Sequence, residues 1–181
     1  ARLDALLDRE RVRNCSIAFL VLGVIASILN VALGHGLRVL TGNALFPDFL
    51  AHWTGGRLLL DGDLDRLYDA DFQANLQHAL IGPGDDVSWF VGPPFTAILY
   101  APFAALPFAV AGVLWALMSV AANARSIVLL KPLVPRLAQD WTVVVLAVLA
   151  CQPVLEVIGA GQDSALSMLV WAAGLRLLVA G

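Results

Sequence analysis

Cys15-Ser-Ile-Ala-Phe-Leu-Val-Leu-Gly-Val-Ile-Ala-Ser-Ile-Leu-Asn-Val-Ala-Leu-Gly-His-Gly-Leu37 decides the fold class, because these 23 residues contain no Asp, Glu, Lys or Arg. At about 1.5 Å of rise per residue, roughly 20 apolar residues in a helix cross the bilayer hydrocarbon. Residues 15–37 therefore read as a first transmembrane helix. Before it, Arg2, Arg9, Arg11 and Arg13 are mixed with Asp4, Asp8 and Glu10. Arginines beside a span mark the cytoplasmic side, while Asp and Glu count little, so residues 1–14 are predicted inside. The run is longer than the apolar core of a secretory signal and lacks a clean cleavage site, which favours an uncleaved anchor.

The rest of the composition agrees with this run. Of 181 residues, 60% are hydrophobic and 14% charged, with mean hydropathy +0.82. Soluble domains average roughly 45–50% apolar and about 25% charged. Eleven basic and 14 acidic side chains are too few to clothe a soluble surface of this size. Disorder needs low hydrophobicity and high net charge, and neither is present. A formal net charge of −3 supplies no basic field, so no nucleic-acid partner is predicted. Cys15 and Cys151 form neither a disulfide framework nor a metal-ligand pattern.

Further apolar segments follow the first. Val87 to Ala124 is a second charge-free run, of 38 residues. As one helix it would measure about 57 Å, close to two crossings. Pro93-Pro94 opens it and Leu106-Pro107 breaks it, which predicts a short helix from Pro94 to Leu106 and a second from Phe108 to about Leu130. Trp141–Ile158 and Ser164–Ala180 supply two more segments on either side of Gly159-Ala160-Gly161. The runs do not alternate as barrel strands do, so four to five helical membrane segments are predicted. If both halves of 94–130 cross, the Lys131–Arg136 loop lies outside, against the positive-inside tendency; if 94–106 only dips into the bilayer, that loop is cytoplasmic.

Between the first span and Pro93, residues 38–92 form a polar loop that a cytoplasmic N-terminus puts on the extracytoplasmic face. It holds eight of the 14 acids: Asp48, Asp61, Asp63, Asp65, Asp69, Asp71, Asp85 and Asp86. Asp48 follows Pro47 and starts a helical pattern of Phe49, Leu50, Trp53, Arg57 and Leu60 that Gly62 closes. That pattern predicts an interfacial amphipathic helix with Phe49 and Trp53 at headgroup level. Asp48 and His52, four residues apart, share one face. A second short helix is predicted from Asp71 to Leu80, with Phe72, Leu76 and Leu80 one turn apart and Gly82 beyond.

From spacing alone, Asp48 is either a helix cap or a general base. Asp61-Gly-Asp63-Leu-Asp65 imitates a calcium loop but has Arg66 and Phe72 where Gly and Glu are required, so it reads as a solvated turn. A nucleotide-sugar D-x-D site would need an α/β domain. His52, His78 and the aspartates lack paired metal-ligand spacing, and no metal or other cofactor is predicted. Glu156, with Gln162 and Asp163, lies in or beside an apolar hairpin, either as a functional intramembrane group or as an interfacial one.

Three stretches, in order, resemble glycosyltransferase family 87. They are Asp48-Phe-Leu-Ala-His-Trp-Thr-Gly-Gly-Arg-Leu-Leu-Leu60 with Gly62-Asp63 and Leu67-Tyr68-Asp69; Trp89-Phe-Val-Gly-Pro-Pro-Phe95 with Ala101–Pro107 and Trp115; and Pro153-Val-Leu-Glu156 with Gly161-Gln-Asp-Ser164. The likeness spans about residues 48–170. Val91-Gly92 stands where the family has an aromatic residue before the double proline, and Asp163 where it has Asn.

The resemblance implies an all-α polytopic transmembrane helical bundle whose extracytoplasmic loop carries short amphipathic helices. It further implies a GT-C type, hexosyl- or mannosyltransferase-like enzyme, multi-pass in a bacterial plasma membrane and serving the cell envelope. Such an enzyme moves a sugar from a polyprenyl-phosphate donor to a lipid or glycan acceptor outside the cytoplasm, with membrane lipid as its surroundings. Asp48 matches the family's general base. His52, Arg57, Tyr68, Pro93, Pro94 and Gln162 fall on motif positions as candidate substrate-binding residues, Arg57 as the cation nearest the phosphate. Residues 93–181 then supply three to four further membrane helices, and the chain corresponds to an N-terminal portion that by itself is expected to lack part of the site. The rival reading is a non-catalytic membrane protein, a small transporter-like bundle or a scaffold subunit, using Glu156 and Asp163.

Overall fold

A computed structural model describes residues 8–84 and 86–180. Arg2, Asp4 and Asp85 lie outside the described residues. The chain is all-α: eight helices and no strand occur among the described residues. They are α1 (Arg9–Ala32), α2 (Pro47–Asp61), α3 (Ala70–Ile81), α4 (Pro94–Ala104), α5 (Phe108–Leu130), α6 (Trp141–Leu149), α7 (Gln152–Ala160) and α8 (Ser164–Ala180).

Local chemistry explains most boundaries. Pro47 and Pro94 sit in the first turns of α2 and α4, where a missing N–H costs nothing and φ is already helical. Asp69 caps α3 by accepting from the Phe72 N–H at 3.0 Å. Left-handed Gly62 and Gly161 end α2 and α7. The apolar stretch 141–158 is two helices, not one. Cys151 takes an extended conformation (φ −67°, ψ 122°), Pro153 enters the first turn of α7, and the two arms bend by 54°.

By length and composition, α1 and the stretch Phe108–Leu133 are long and apolar enough to cross a membrane, and the bent α6–α7 pair makes a third if it counts as one span. The α4 helix, with 11 residues, is about 16 Å long and too short to cross. The α8 helix is also below full length.

Two compact units divide the chain, Leu29–Ala116 and Ala1–Ile28 with Leu117–Gly181. In the first, α2 is buried on most of its circumference: Phe49, Leu50, Ala51, Trp53, Thr54, Gly55, Gly56 and Leu58 are buried. Phe49 and Trp53, predicted at headgroup level, are instead core residues. Phe49 is surrounded by Tyr100, Phe103, Phe108 and Trp115 at ring-centroid distances of 5.5–6.4 Å. Trp53 donates its indole N–H to the Leu106 carbonyl at 3.3 Å. Burying each such ring is worth about 2–3 kcal/mol.

The two ends of the 38–86 loop are stitched together by one guanidinium. Arg38 donates to Asp86 and to the carbonyls of Gly42, Ile81, Gly82 and Pro83 at 2.6–3.3 Å. The second Asp86 oxygen accepts from the Ala44 N–H at 2.8 Å.

In the second unit, Arg9 pairs with Asp140 at 2.9 Å. Gly23 on α1 leaves room for Leu155 of α7, whose Cδ1 would lie 2.6 Å from a Cβ there. Ser119, Asn123 and Ser126 form a buried polar row on α5. Asn123 and Ser126 return their hydrogen bonds to the helix's own carbonyls of Ser119 and Ala122, as suits a polar side chain in an apolar span.

Candidate functional site

Where α2 begins is set by Phe46, which adopts left-handed φ 50°, ψ 61°. It is the one non-glycine with positive φ among the described residues. That conformation costs a branched-at-Cβ or aromatic residue about 1–2 kcal/mol, so tertiary contacts must hold it. They do: the Phe46 ring fills the space left by Gly112, where a Cβ would come within 2.7 Å of Cε2. Phe46 rather than Asp48 is thus the cap residue, with no side-chain capping bond, and Asp48 lies inside the first turn.

Removing the capping role leaves Asp48 half-buried, with no hydrogen bond or ion pair to its carboxylate among the described residues. A carboxylate there benefits from the positive end of the helix. One turn on, His52 lies flat on Tyr100, with ring centroids 4.3 Å apart and planes 4° from parallel, and edge-on to Phe90 at 6.3 Å. Tyr100 in turn leans on Trp115 at 4.9 Å. The imidazole plane is therefore fixed by buried rings, on the same face of α2 as Asp48.

Close helix contact makes this possible. A Cβ on Gly56 would meet the Tyr100 carbonyl carbon at 2.8 Å and the Ala101 nitrogen at 2.9 Å. Only hydrogen at that position lets α2 and α4 approach backbone to backbone.

The double proline reaches the same unit through a second device. Gln73 and Gln77, one turn apart on α3, are 2% and 1% exposed. Gln73 accepts from the Phe90 N–H at 2.8 Å and donates to the Phe90 carbonyl at 3.3 Å and to that of Leu67 at 2.8 Å. Gln77 does the same for Ser88, accepting at 3.0 Å and donating at 2.7 Å, and also donates to the Thr54 hydroxyl at 3.1 Å. Two amides thus replace the missing neighbouring strand for residues 88–90. The predicted apolar face of this helix is shifted: Gln73, Gln77 and Ile81 are buried, while Phe72 and Leu76 sit at its edge. Apolar periodicity hides such a pair, because a buried glutamine and an exposed one look alike in sequence.

Beyond Phe90, Tyr68 donates its hydroxyl to the Gly92 carbonyl at 2.8 Å and stacks on Phe90. Pro93 and Pro94 are exposed at the start of α4, where the Pro93 carbonyl accepts from the Thr96 N–H and hydroxyl at 2.9 and 2.7 Å. Asp48, His52, Arg57, Tyr68, Pro93 and Pro94 all belong to the 29–116 unit. Gln162 belongs to the other unit, half-buried in the turn between α7 and α8, its N–H donating to the Val157 carbonyl at 3.0 Å.

Arg57 is engaged. Its guanidinium grips both oxygens of Asp61 at 2.7 and 2.8 Å, a bidentate pair. Asp61 is thereby spent, and no group of three metal-capable side chains exists among the described residues. His78 contacts the Gly84 carbonyl through Nε2 at 2.9 Å. Glu156 is exposed and accepts from Gln152 at 2.8 Å, and Asp163 is exposed, its main-chain carbonyl accepting from the Leu166 and Ser167 N–H groups of α8.

No curated protein and no solved structure matches the chain. The pattern of glycosyltransferase family 87 matches residues 90–181, just over half of it. The match begins at Phe90, so it takes in Pro93, Pro94 and Gln162, whereas Asp48, His52, Arg57 and Tyr68 precede it. With that match over its apolar helices, the chain belongs to glycosyltransferase family 87 and is a membrane glycosyltransferase.

Proposed function

We propose that this glycosyltransferase is of GT-C type and moves a hexose, such as mannose, from a polyprenyl-phosphate carrier to a lipid or glycan acceptor on the extracytoplasmic face. In this reading residues 1–14, which include the first turns of α1, are cytoplasmic, the rest of α1 crosses a bacterial plasma membrane, residues 38–92 lie outside, and residues 93–181 continue the membrane helices. Asp48 is the general base. The observation that carries the assignment is an uncommitted, half-buried carboxylate in the first turn of an otherwise buried helix.

The acceptor hydroxyl gives its proton to the Asp48 carboxylate as its oxygen bonds to the anomeric carbon. The bond from that carbon to the phosphate oxygen breaks, polyprenyl phosphate leaves with the electron pair, and a single displacement inverts the anomeric centre. Because phosphate is already a good leaving group, the step requires no nucleotide. Within the 29–116 unit, His52, Tyr68, Pro93 and Pro94 contribute to substrate binding, and Gln162, in the other unit, is a separate candidate binding residue. Arg57 serves the donor phosphate by exchanging Asp61 for it. The transporter-like alternative draws no support from Glu156 and Asp163, which are both exposed.

Replacing Asp48 by Asn in the full-length protein tests the reading. Membranes carrying D48N, supplied with a polyprenyl-phosphate sugar and a glycolipid extract, should form product at least about 100-fold more slowly. Unchanged turnover in a folded D48N protein rejects the general-base role.

A further inference from the structure

We infer that the ring of Tyr68 is a stacking platform for a neutral pyranose, a binding role that rests on the glycosyl-transfer reading above. Tyr68 is 57% exposed, yet its ring is held at two points. Its hydroxyl is tethered to the Gly92 carbonyl at 2.8 Å, and one side of the ring faces Phe90, with centroids 6.4 Å apart and planes 27° from parallel. Phe90 is itself 1% exposed and pinned on both main-chain polar groups by the buried amide of Gln73.

A solvent-facing aromatic side chain held this firmly has already lost the rotamer entropy that binding would otherwise cost. Sugars present an apolar patch of axial C–H groups on one ring face, which suits a flat π surface, while their rim of hydroxyls seeks acceptors. The segment that carries this ring is rich in acceptors: residues 61–71 contain five aspartates and one arginine. Of these, the carboxylates of Asp63, Asp65 and Asp71 make no hydrogen bond or ion pair among the described residues, whereas Asp61 holds Arg57 and Asp69 caps α3. The same charge disfavours a sugar with an acidic ring substituent such as a uronate.

Saturation-transfer NMR on the full-length protein in nanodiscs, with methyl α- and β-pyranosides of glucose, mannose and galactose as probes, tests the platform without requiring turnover. Transfer to the axial C–H protons of at least one pyranoside is expected for the native protein. It should weaken but persist in Tyr68→Phe, which keeps the ring and loses the tether, and disappear in Tyr68→Ala. Tyr68→Leu, which keeps apolar volume without a π face, should also lose it and covers the case of a poorly folding Ala variant. Transfer that survives in a folded Leu or Ala variant overturns the inference, as does its absence from the native protein, the result for a ring covered by lipid.

Kinetics then identify the sugar. A roughly tenfold rise in KM for the acceptor alone in Tyr68→Leu assigns the pyranose to the acceptor, and the same rise for the donor alone assigns it to the donor. No rise in either overturns the role. D48N should retain the NMR signal, so failure of the general-base assignment and failure of the platform give different results.

Discussion

At the scale of single residues, the most consequential charge is Arg38, which holds Asp86 across 48 residues of sequence. Burial alone would raise the Asp86 carboxyl, but the Arg38 hydrogen bond, main-chain N–H donors including Ala44 and the guanidinium charge hold it below its ordinary 3.8. A lowered value means the folded state binds the proton more weakly than the unfolded one. The resulting stabilisation is present above about pH 4 and is lost as pH falls through the folded value. Asp86→Asn should therefore unfold at a lower temperature than the native protein at pH 7, and the difference should shrink below about pH 4. Thermal melts of detergent-solubilised protein followed by tryptophan fluorescence measure this. Arg38→Ala removes the charged partner and orphans several carbonyls, and should cost about 2 kcal/mol in chemical denaturation. Nothing near Arg38 in the sequence announces this role, because its partners lie at 42 and 81–86.

At the scale of elements, the α2–α4 contact and the α3 clamp carry the candidate site. Gly56→Ala places a methyl group within 3 Å of main-chain atoms that cannot move aside, so the helices must separate. The expected loss is about 2 kcal/mol in urea unfolding, with a fall in turnover as His52 loses its seat on Tyr100. Gln77→Leu preserves volume but strands the Ser88 N–H and carbonyl, at about 1–3 kcal/mol. If the clamp positions the loop before the double proline, proteolytic nicking of 84–92 should accelerate in Gln77→Leu and remain slow in Gln77→Glu, which can still accept from Ser88. Helix limits were largely legible beforehand: Pro94, Pro107, Gly62, Gly82 and Gly161 act through their own backbone preferences. Which faces are buried was not, since that depends on what each helix meets.

For the whole molecule, the proposed topology makes one direct prediction. In a background with Cys15 and Cys151 changed to Ser, Asp65→Cys should react with a membrane-impermeant maleimide in intact cells, because residues 38–92 are assigned to the outside. Labelling only after lysis would reverse the orientation. The proposed orientation rests on the arginines in the first turns of α1 and on the long apolar stretch that follows them.

Membrane residence and the all-helical class followed from the sequence by itself, because hydrocarbon leaves the backbone no other way to satisfy its hydrogen bonds over runs this apolar. The start of α4 at Pro94 and the limits of α5 followed too, from proline's fixed φ and missing donor. Only the tertiary structure decided that Asp48 is not a cap, that Phe49 and Trp53 face the core, that Arg57 is held by Asp61, and that two glutamines secure residues 88–90. Each depends on groups far apart in the chain being brought to bonding distance. Local periodicity carries no record of such partners, and burial reverses what a polar or aromatic residue means once they are in place.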